Sequence, residues 1–235
     1  MKKAIVLSSG GVDSTTCISL AVKDVGKENV MTVSVYYGQK HSKELKCAGK
    51  IARYFDVKHK IIDLSATGIM DDSNCPLLQG STEDIPEHSY AEQIEQNGEG
   101  MVSTYVPFRN GLLLSSMAAL AMATYPDDEV DIYIGAHADD AAGNAYADCS
   151  KEFTDAMYKA INIGTYGKVN VKAPLVNFNK AGVVKIGLQL GTPYELTWSC
   201  YKGGEEPCGK CGTCIDRAEA FRLNGVEDPA LKKGN

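Results

Sequence analysis

The stretch Ala4-Ile5-Val6-Leu7-Ser8-Ser9-Gly10-Gly11-Val12-Asp13-Ser14-Thr15-Thr16-Cys17-Ile18 decides the fold. Its first four residues form a short apolar run bounded by Ser and Gly, which suits a strand buried on both faces. From Ser14 to Val25 the apolar spacing turns helical. A glycine pair between strand and helix leaves backbone N–H groups exposed at the positive end of the helix dipole, where they stabilise phosphate. Gly10 and Gly11 let the backbone approach an anion, and Ser9, Ser14 and Thr15 add hydroxyl donors. Asp13 would repel phosphate as a direct ligand, so it is expected to face a magnesium ion or to cap the helix. A tight turn followed by an Asp or Ser N-cap is the competing account of Gly-Gly. A Walker loop is excluded, because the lysine of G-x-x-x-x-G-K-[ST] is missing.

Outward from this unit the alternation repeats. Residues 30–36 read as a strand, 43–55 as a helix and 58–64 as a strand. Beyond them, 110–125 reads as a helix, 130–135 as a strand, 151–163 as a helix, 169–173 as a strand and 179–190 as a helix stopped by Gly191 and Pro193. The pattern predicts an α/β fold with a doubly wound, mostly parallel sheet, whose ligands bind beyond the carboxyl ends of the strands. Residues 65–105 break the rhythm, being polar, acidic and punctuated by Pro76, Gly80, Pro86 and Gly98. A connection of about forty residues exceeds an ordinary turn, so it is expected either to fold over the site or to be a disordered insertion.

Four of the eight cysteines, Cys200, Cys208, Cys211 and Cys214, are spaced C-x7-C-x2-C-x2-C. Clustered cysteines in a reducing compartment ligate metal more often than they form disulfides. Four thiolates close a tetrahedral zinc site with no open position, so one structural zinc per chain is expected, with Gly209 and Gly212 permitting the bends. A Cys-x-x-Cys pair could instead act as a redox or persulfide-carrying dithiol. Cys17, Cys47 and Cys75 have no such neighbours and are read as packed side chains.

With 235 residues, 44% apolar and 23% charged, the chain can bury one large core. Its net charge of −6 and pI near 5.3 disfavour a surface that grips nucleic acid through many phosphates, so a small substrate and no nucleic-acid partner are expected. Membrane association is not expected, since no apolar stretch reaches the roughly 18 residues of a span. Met1-Lys2-Lys3 leads straight into a strand-like run, so a cytoplasmic location is expected.

Ser-Gly-Gly-x-Asp-Ser after the first strand resembles the pyrophosphatase loop of the N-type ATP pyrophosphatases, an adenine nucleotide alpha hydrolase-like superfamily that cleaves ATP between its α and β phosphates. Further stretches narrow the resemblance. Tyr37-Gly38-Gln39-Lys40-His41-x-x-Glu44-Leu45, Val106-Pro107-x-Arg109-Asn110, Asp148-Cys149-x-x-Glu152-Phe153, and Leu190-Gly191-x-Pro193 through Thr197-x-Ser199-Cys200-Tyr201 are similar to elements of the 7-cyano-7-deazaguanine synthases of the queuosine and archaeosine precursor pathway. One stretch departs: that family often shows Ser-Gly-Tyr-Pro before Asp148, whereas Ala142-Gly143-Asn144-Ala145-Tyr146-Ala147 stands here, so Tyr146 receives no role by analogy.

The resemblance implies a ligase that turns 7-carboxy-7-deazaguanine, ammonia and ATP into the nitrile 7-cyano-7-deazaguanine. Oxide is a poor leaving group from a carboxylate and again from an amide, so ATP activates each oxygen in turn, releasing diphosphate and then AMP. It further implies a 1–195 ATP pyrophosphatase-type domain, a 196–235 four-cysteine segment packed on it as one structural unit, and a homodimer. The nucleotide site is expected along Ser8, Ser9, Gly10, Gly11, Val12, Asp13, Ser14, Thr15, Thr16, Cys17 and Ile18, with ATP as co-substrate alongside magnesium. Lys180 is expected at ATP or the departing diphosphate, with a solvated helix-end lysine as the alternative. Arg109 would grip a carboxylate or phosphate bidentately, or cap its helix. His41 would move a proton from ammonium, or serve as a structural hydrogen-bonding residue. His137, Asp139 and Asp140 would hold magnesium or form a solvated acidic loop. Tyr194, Trp198 and Tyr201 would stack on a flat heterocycle or pack the zinc turn. The rival readings are an RNA-thiolating ATP pyrophosphatase with Cys211 or Cys214 carrying sulfur, and a nucleotide- or zinc-binding regulatory module without turnover.

Overall fold

The computed structural model describes residues 1–89, 92, 95, 98 and 100–231. Five strands, β1 (Lys2–Leu7), β2 (Val30–Tyr36), β3 (Lys58–Asp63), β4 (Glu129–Tyr133) and β5 (Val169–Lys172), form one sheet in the order β3-β2-β1-β4-β5. Every pairing is parallel, with Ala4 opposite Val30 on one side of β1 and opposite Asp131 on the other. Residues alternate along β1: Ala4 and Val6 enter one apolar core, Ile5 and Leu7 the other. Both faces of the central strand are therefore covered, which is why its sequence reads as a continuous apolar run.

Helices α1 (Val12–Val25), α2 (Lys43–Phe55), α3 (Arg109–Thr124), α4 (Ala138–Ala141), α5 (Lys151–Gly164), α6 (Lys180–Gln189) and α7 (Gly212–Leu223) divide between the two faces. Ile18, Ile51, Val183, Val184 and Phe221 place α1, α2, α6 and α7 on the Val6 face. Leu114, Met117 and Ile161 place α3 and α5 on the Leu7 face. The chain leaves β1 toward β2 and β3, then returns to β4 on the opposite side, so the connections diverge between the carboxyl ends of β1 and β4. That divergence opens the crevice where doubly wound sheets bind ligands.

The C-terminal cysteine segment is more than one turn. Cys211 is the N-cap of α7 and Cys214 lies in its first turn; the sequence reading had no helix here. Phe221 and Ala220 of α7 belong to the same core as Ala4 and Val6, and the Phe221 ring meets Tyr194 edge-on at 5.3 Å. Arg217 is buried and clamps Asp228 through Nε at 2.6 Å and Nη2 at 2.8 Å.

The described part of 65–105 is packed, with Cys75 and Leu78 joining Val106 in a small core. Leu78 bridges to Gln39, and Glu87 bridges to Cys211, so the segment runs along the site from the second strand to the cysteine turn. Its residues 90, 91, 93, 94, 96, 97 and 99, like 232–235 of the C-terminal segment, lie outside the described residues. No helix among the described residues is long and apolar enough to cross a membrane.

Candidate active site

A cavity of about 250 Å³ lies at the carboxyl edge of β1 and β4. One end is built by the glycine loop. Gly11 is the extended N-cap of α1, so the first N–H groups of that helix point out of the sheet edge. Ser9 and Ser14 hydroxyls stand 3.2 Å apart at the same place, and the Ser8 hydroxyl is buried there without a hydrogen-bond partner among the described residues. Gly10 has φ +82, and a Cβ on it would meet the Glu44 carbonyl oxygen at 2.3 Å and Ala48 N at 2.8 Å. Only glycine lets the loop and α2 approach this closely.

Ser8, Ser9, Gly11, Asp13 and Ser14 line the cavity. Gly10, Val12, Thr15, Thr16, Cys17 and Ile18, the rest of the expected nucleotide stretch, are buried behind it. Thr16 bonds the Tyr194 hydroxyl at 2.7 Å and its own helix at Val12 O, while Cys17 and Ile18 fill the core. Helical periodicity is the reason: past the first turn, side chains on the sheet-facing side of α1 cannot reach the crevice.

Asp13 and Lys180, distant in sequence, are directly paired, with Lys180 Nζ 2.7 Å from both carboxylate oxygens. Lys180 opens α6, and its backbone N–H donates to Asp139 at 2.7 Å. His137 Nε2 lies 3.3 Å from Asp140 and 3.8 Å from Asp13. Burial pushes the Asp13 carboxyl up, but the Lys180 ammonium and His137 outweigh it and hold its pKa below the ordinary value. Burial dominates at Asp140, whose pKa is raised despite His137 and Lys180. Asp216 of α7 also faces this end, raised by burial to about 6.

The other end is walled by Tyr37, Gln39, Glu44, Arg109, Asn110, Tyr146 and Cys149. Arg109 is the first residue of α3, and among the described residues its guanidinium makes only long hydrogen bonds of 3.4 Å to Tyr37 Oη and Asn110 Oδ1. Among the described residues no carboxylate forms an ion pair with it. Asp148 caps α3 instead, accepting from Asn110 N at 2.9 Å. Asn110 Nδ2 donates to Cys149 Sγ at 3.2 Å, and the Tyr146 and Thr104 hydroxyls meet at 2.5 Å. Tyr146, to which the sequence assigned no role, is thus a wall residue.

His41 lines the cavity, hydrogen-bonded to the Tyr201 backbone, with its pKa lowered by burial. Trp198 and Tyr201 line it too, and Lys43 Nζ sits 3.5 Å from the Trp198 ring centroid. Tyr194 does not line it; the ring lies in the core under α1 and α7. Ser199, Thr213 and Asp216 reach the cavity from the C-terminal segment and escaped the sequence reading. The 213/216 spacing would have shown them, had a helix been read after Cys211.

The four cysteine sulfurs lie within 4.8 Å of one another, with Cys208 and Cys214 4.0 Å apart. A tetrahedral zinc with Zn–S near 2.3 Å needs sulfurs about 3.8 Å apart. Backbone N–H groups of Cys208, Lys210 and Cys211 approach the Cys200 and Cys208 sulfurs at 3.3–3.4 Å, an outer shell that favours thiolate. A hydrogen bond from Cys214 holds the Cys211 thiol below its ordinary range, favouring thiolate there. The cluster could hold a metal ion. Gly209 takes φ +70 at the bend, whereas Gly212 is an ordinary first residue of α7.

The family model described as Queuosine biosynthesis protein QueC matches residues 3–225. A curated 7-cyano-7-deazaguanine synthase of Caldicellulosiruptor saccharolyticus is 44% identical over 227 residues, covering 97% of this chain and 94% of that one. Its counterpart of Archaeoglobus fulgidus is 42% identical over 230 residues, covering 97% and 90%. Among solved structures, the NMN synthetase from Francisella tularensis aligns with a TM-score of 0.50 at 16% identity, over 96% of this chain and 78% of that one, a likeness of fold alone. With a glycine loop and a paired Asp13–Lys180 at one crevice, and a match that runs nearly end to end, this chain belongs to the queuosine biosynthesis protein QueC family, whose curated relatives are named 7-cyano-7-deazaguanine synthase.

Proposed function

We propose that the chain is a carbon–nitrogen ligase that converts 7-carboxy-7-deazaguanine and ammonia into 7-cyano-7-deazaguanine, cleaving ATP to AMP and diphosphate at each of two activations. One observation carries the reading: the glycine loop with Lys180 and Arg109, which has no carboxylate partner among the described residues, face each other across a single cavity. A polyphosphate entering at the loop takes the N–H groups of α1 and the Ser9 and Ser14 hydroxyls. Lys180 exchanges its Asp13 partner for the leaving diphosphate, whose charge it neutralises. Asp13, Asp139 and Asp140 then supply more negative charge than Lys180 balances, a donor set that suits magnesium. When bound, that ion neutralises phosphate oxygens. Arg109 holds the substrate's anionic side so that its oxygen meets the α-phosphate.

The first activation links AMP to the carboxylate oxygen and releases diphosphate. Ammonia then forms the C–N bond as the C–O bond to AMP breaks, with His41 as the candidate acceptor of the ammonium proton. The amide oxygen is adenylated in the same place, and loss of AMP with two N–H protons leaves the nitrile. Zinc is the proposed ion of the four thiols, where it would be structural. A cytoplasmic homodimer completes the proposal, and sedimentation tests the dimer. Mass spectrometry of the product from 7-carboxy-7-deazaguanine, ATP and ammonium tests the activity. A nitrile supports it, an amide limits the enzyme to one activation, and neither product overturns it. The acidic balance, with a net charge of −6, counts against the RNA-thiolating reading, and measuring whether zinc occupies all four thiols separates the two.

A further inference from the structure

Most acids that line the cavity already have a partner. Asp13 takes Lys180 Nζ, Asp139 takes the Lys180 N–H, and Asp140 takes His137. Asp216 lies at the phosphate end, within the field of Lys180 and His137. Glu44 differs. It sits in the first turn of α2, directly behind the glycine loop, and its side chain enters the cavity at the Arg109 end. Among the described residues it receives no hydrogen bond and forms no ion pair, and Arg109 is near enough only to be felt electrostatically. A desolvated carboxylate without donors is costly unless a ligand supplies them.

The pair therefore presents, side by side, a guanidinium held only by long 3.4 Å hydrogen bonds and, among the described residues, without a carboxylate partner, and a carboxylate without donors. A 7-carboxy-7-deazaguanine has the complementary order along its edge. Its 7-carboxylate and 6-oxo oxygens point to one side, followed at once by N1–H and the 2-amine. Adenine offers an amine and then a bare N1, which puts a lone pair against a carboxylate.

Resting on the activity proposed above, we propose that Glu44 is the residue that selects the guanine-type ring, its carboxylate accepting from N1–H and the 2-amine while Arg109 faces the oxo and carboxylate side. Burial lifts the Glu44 pKa to about 7, consistent with an acid that waits for ligand N–H groups to stabilise its charge.

The test compares native protein with Glu44→Gln on two acids: 7-carboxy-7-deazaguanine and its 2-deamino analogue, 7-carboxy-7-deazahypoxanthine. Acid-dependent diphosphate release from ATP is the readout. Native protein is expected to prefer the ring that bears the 2-amine by about 10- to 100-fold in kcat/KM, the worth of a hydrogen bond to a charged group. Glu44→Gln is expected to lose most of that preference through KM for the favoured acid. Glu44→Asp, which keeps the charge, is expected to retain the preference in weaker form, which guards against a Gln variant that misfolds. Equal discrimination by native and Gln proteins overturns the proposal. So does a Gln variant that fails with ammonium and recovers with hydroxylamine, an uncharged nucleophile at neutral pH, because Glu44 would then be the ammonium base. Diphosphate release from neither acid in native protein marks a different failure, that of the activity itself.

Discussion

The Asp13–Lys180 contact shows what single residues contribute. The ammonium meets both carboxylate oxygens in a mostly buried setting, so removing one partner leaves an unpaired charge at a cost of about 3 kcal/mol. Lys180→Met is expected to lower urea stability by that order and to cut diphosphate release about 100- to 1,000-fold. Asp13→Asn combined with Lys180→Met is expected to recover the stability and none of the activity, which urea titration and a diphosphate assay separate. Glu44 gives the opposite sign. Its pKa rises from 4.5 to about 7 on folding, so the folded state keeps a proton that the unfolded chain has already lost. Stability attributable to this group is present below pH 4.5 and falls as pH rises to about 7. Glu44→Gln is expected to melt with native protein at pH 4 and to be more stable by about 1–2 kcal/mol at pH 8, allowing for its open cavity face. Thermal melts across pH check this; a constant difference would show that Glu44 is not strained. Both Asp13 and Lys180 were legible from motif and resemblance. The partnerless state of Glu44 was not, because a missing partner is visible only once every neighbour is in place.

Between elements, the decisive contact is the loop against α2. Gly10→Ala forces a left-handed conformation on alanine and drives its Cβ into the Glu44 carbonyl and Ala48 N, both backbone atoms that cannot rotate away. A loss of about 2–4 kcal/mol is expected in urea titration, with weaker ATP binding if the loop holds the nucleotide as proposed, because the glycine loop must shift to relieve the clash. The second contact of this kind is the cysteine cluster with α7. Cys211 caps the helix and Cys214 lies in its first turn, so a metal bound by the four thiols would fix the helix start, while Phe221 and Ala220 anchor its far end in the core. Stripping the metal with a chelator is expected to speed hydrogen exchange at Gly212–Leu223 and leave α1 protected, with loss of activity as Thr213 and Asp216 leave the cavity wall. Unchanged exchange in α7 would dismiss the metal's structural role. Strand and helix positions followed from apolar period, since each period reports which face is buried. The helix after Cys211 escaped because glycine, cysteine and threonine open it, residues that carry almost no helical signal.

At the scale of the whole molecule, residues 1–195 and 196–231 share one core, Phe221 packing with Ala4 and Val6 and Arg217 reaching the Tyr194 carbonyl. A chain ending at residue 196 is expected to lose cooperative melting by circular dichroism; a sharp transition in that truncated chain would show two separable domains instead. The sheet order brings β1 and β4 together, and with them Asp13, His137 and Lys180 from three distant parts of the chain. By itself, the sequence determined the strands, the helices other than the one after Cys211, the parallel α/β class, the loop and the clustering of four cysteines that could hold a metal ion. These depend on local spacing and on residue types whose chemistry is the same wherever they stand. Only the tertiary structure decided which residues of the loop stretch face the ligand, which acids already have partners, and that the C-terminal helix walls the cavity. Those are properties of direction and neighbourhood, which appear only when separate segments are packed against one another.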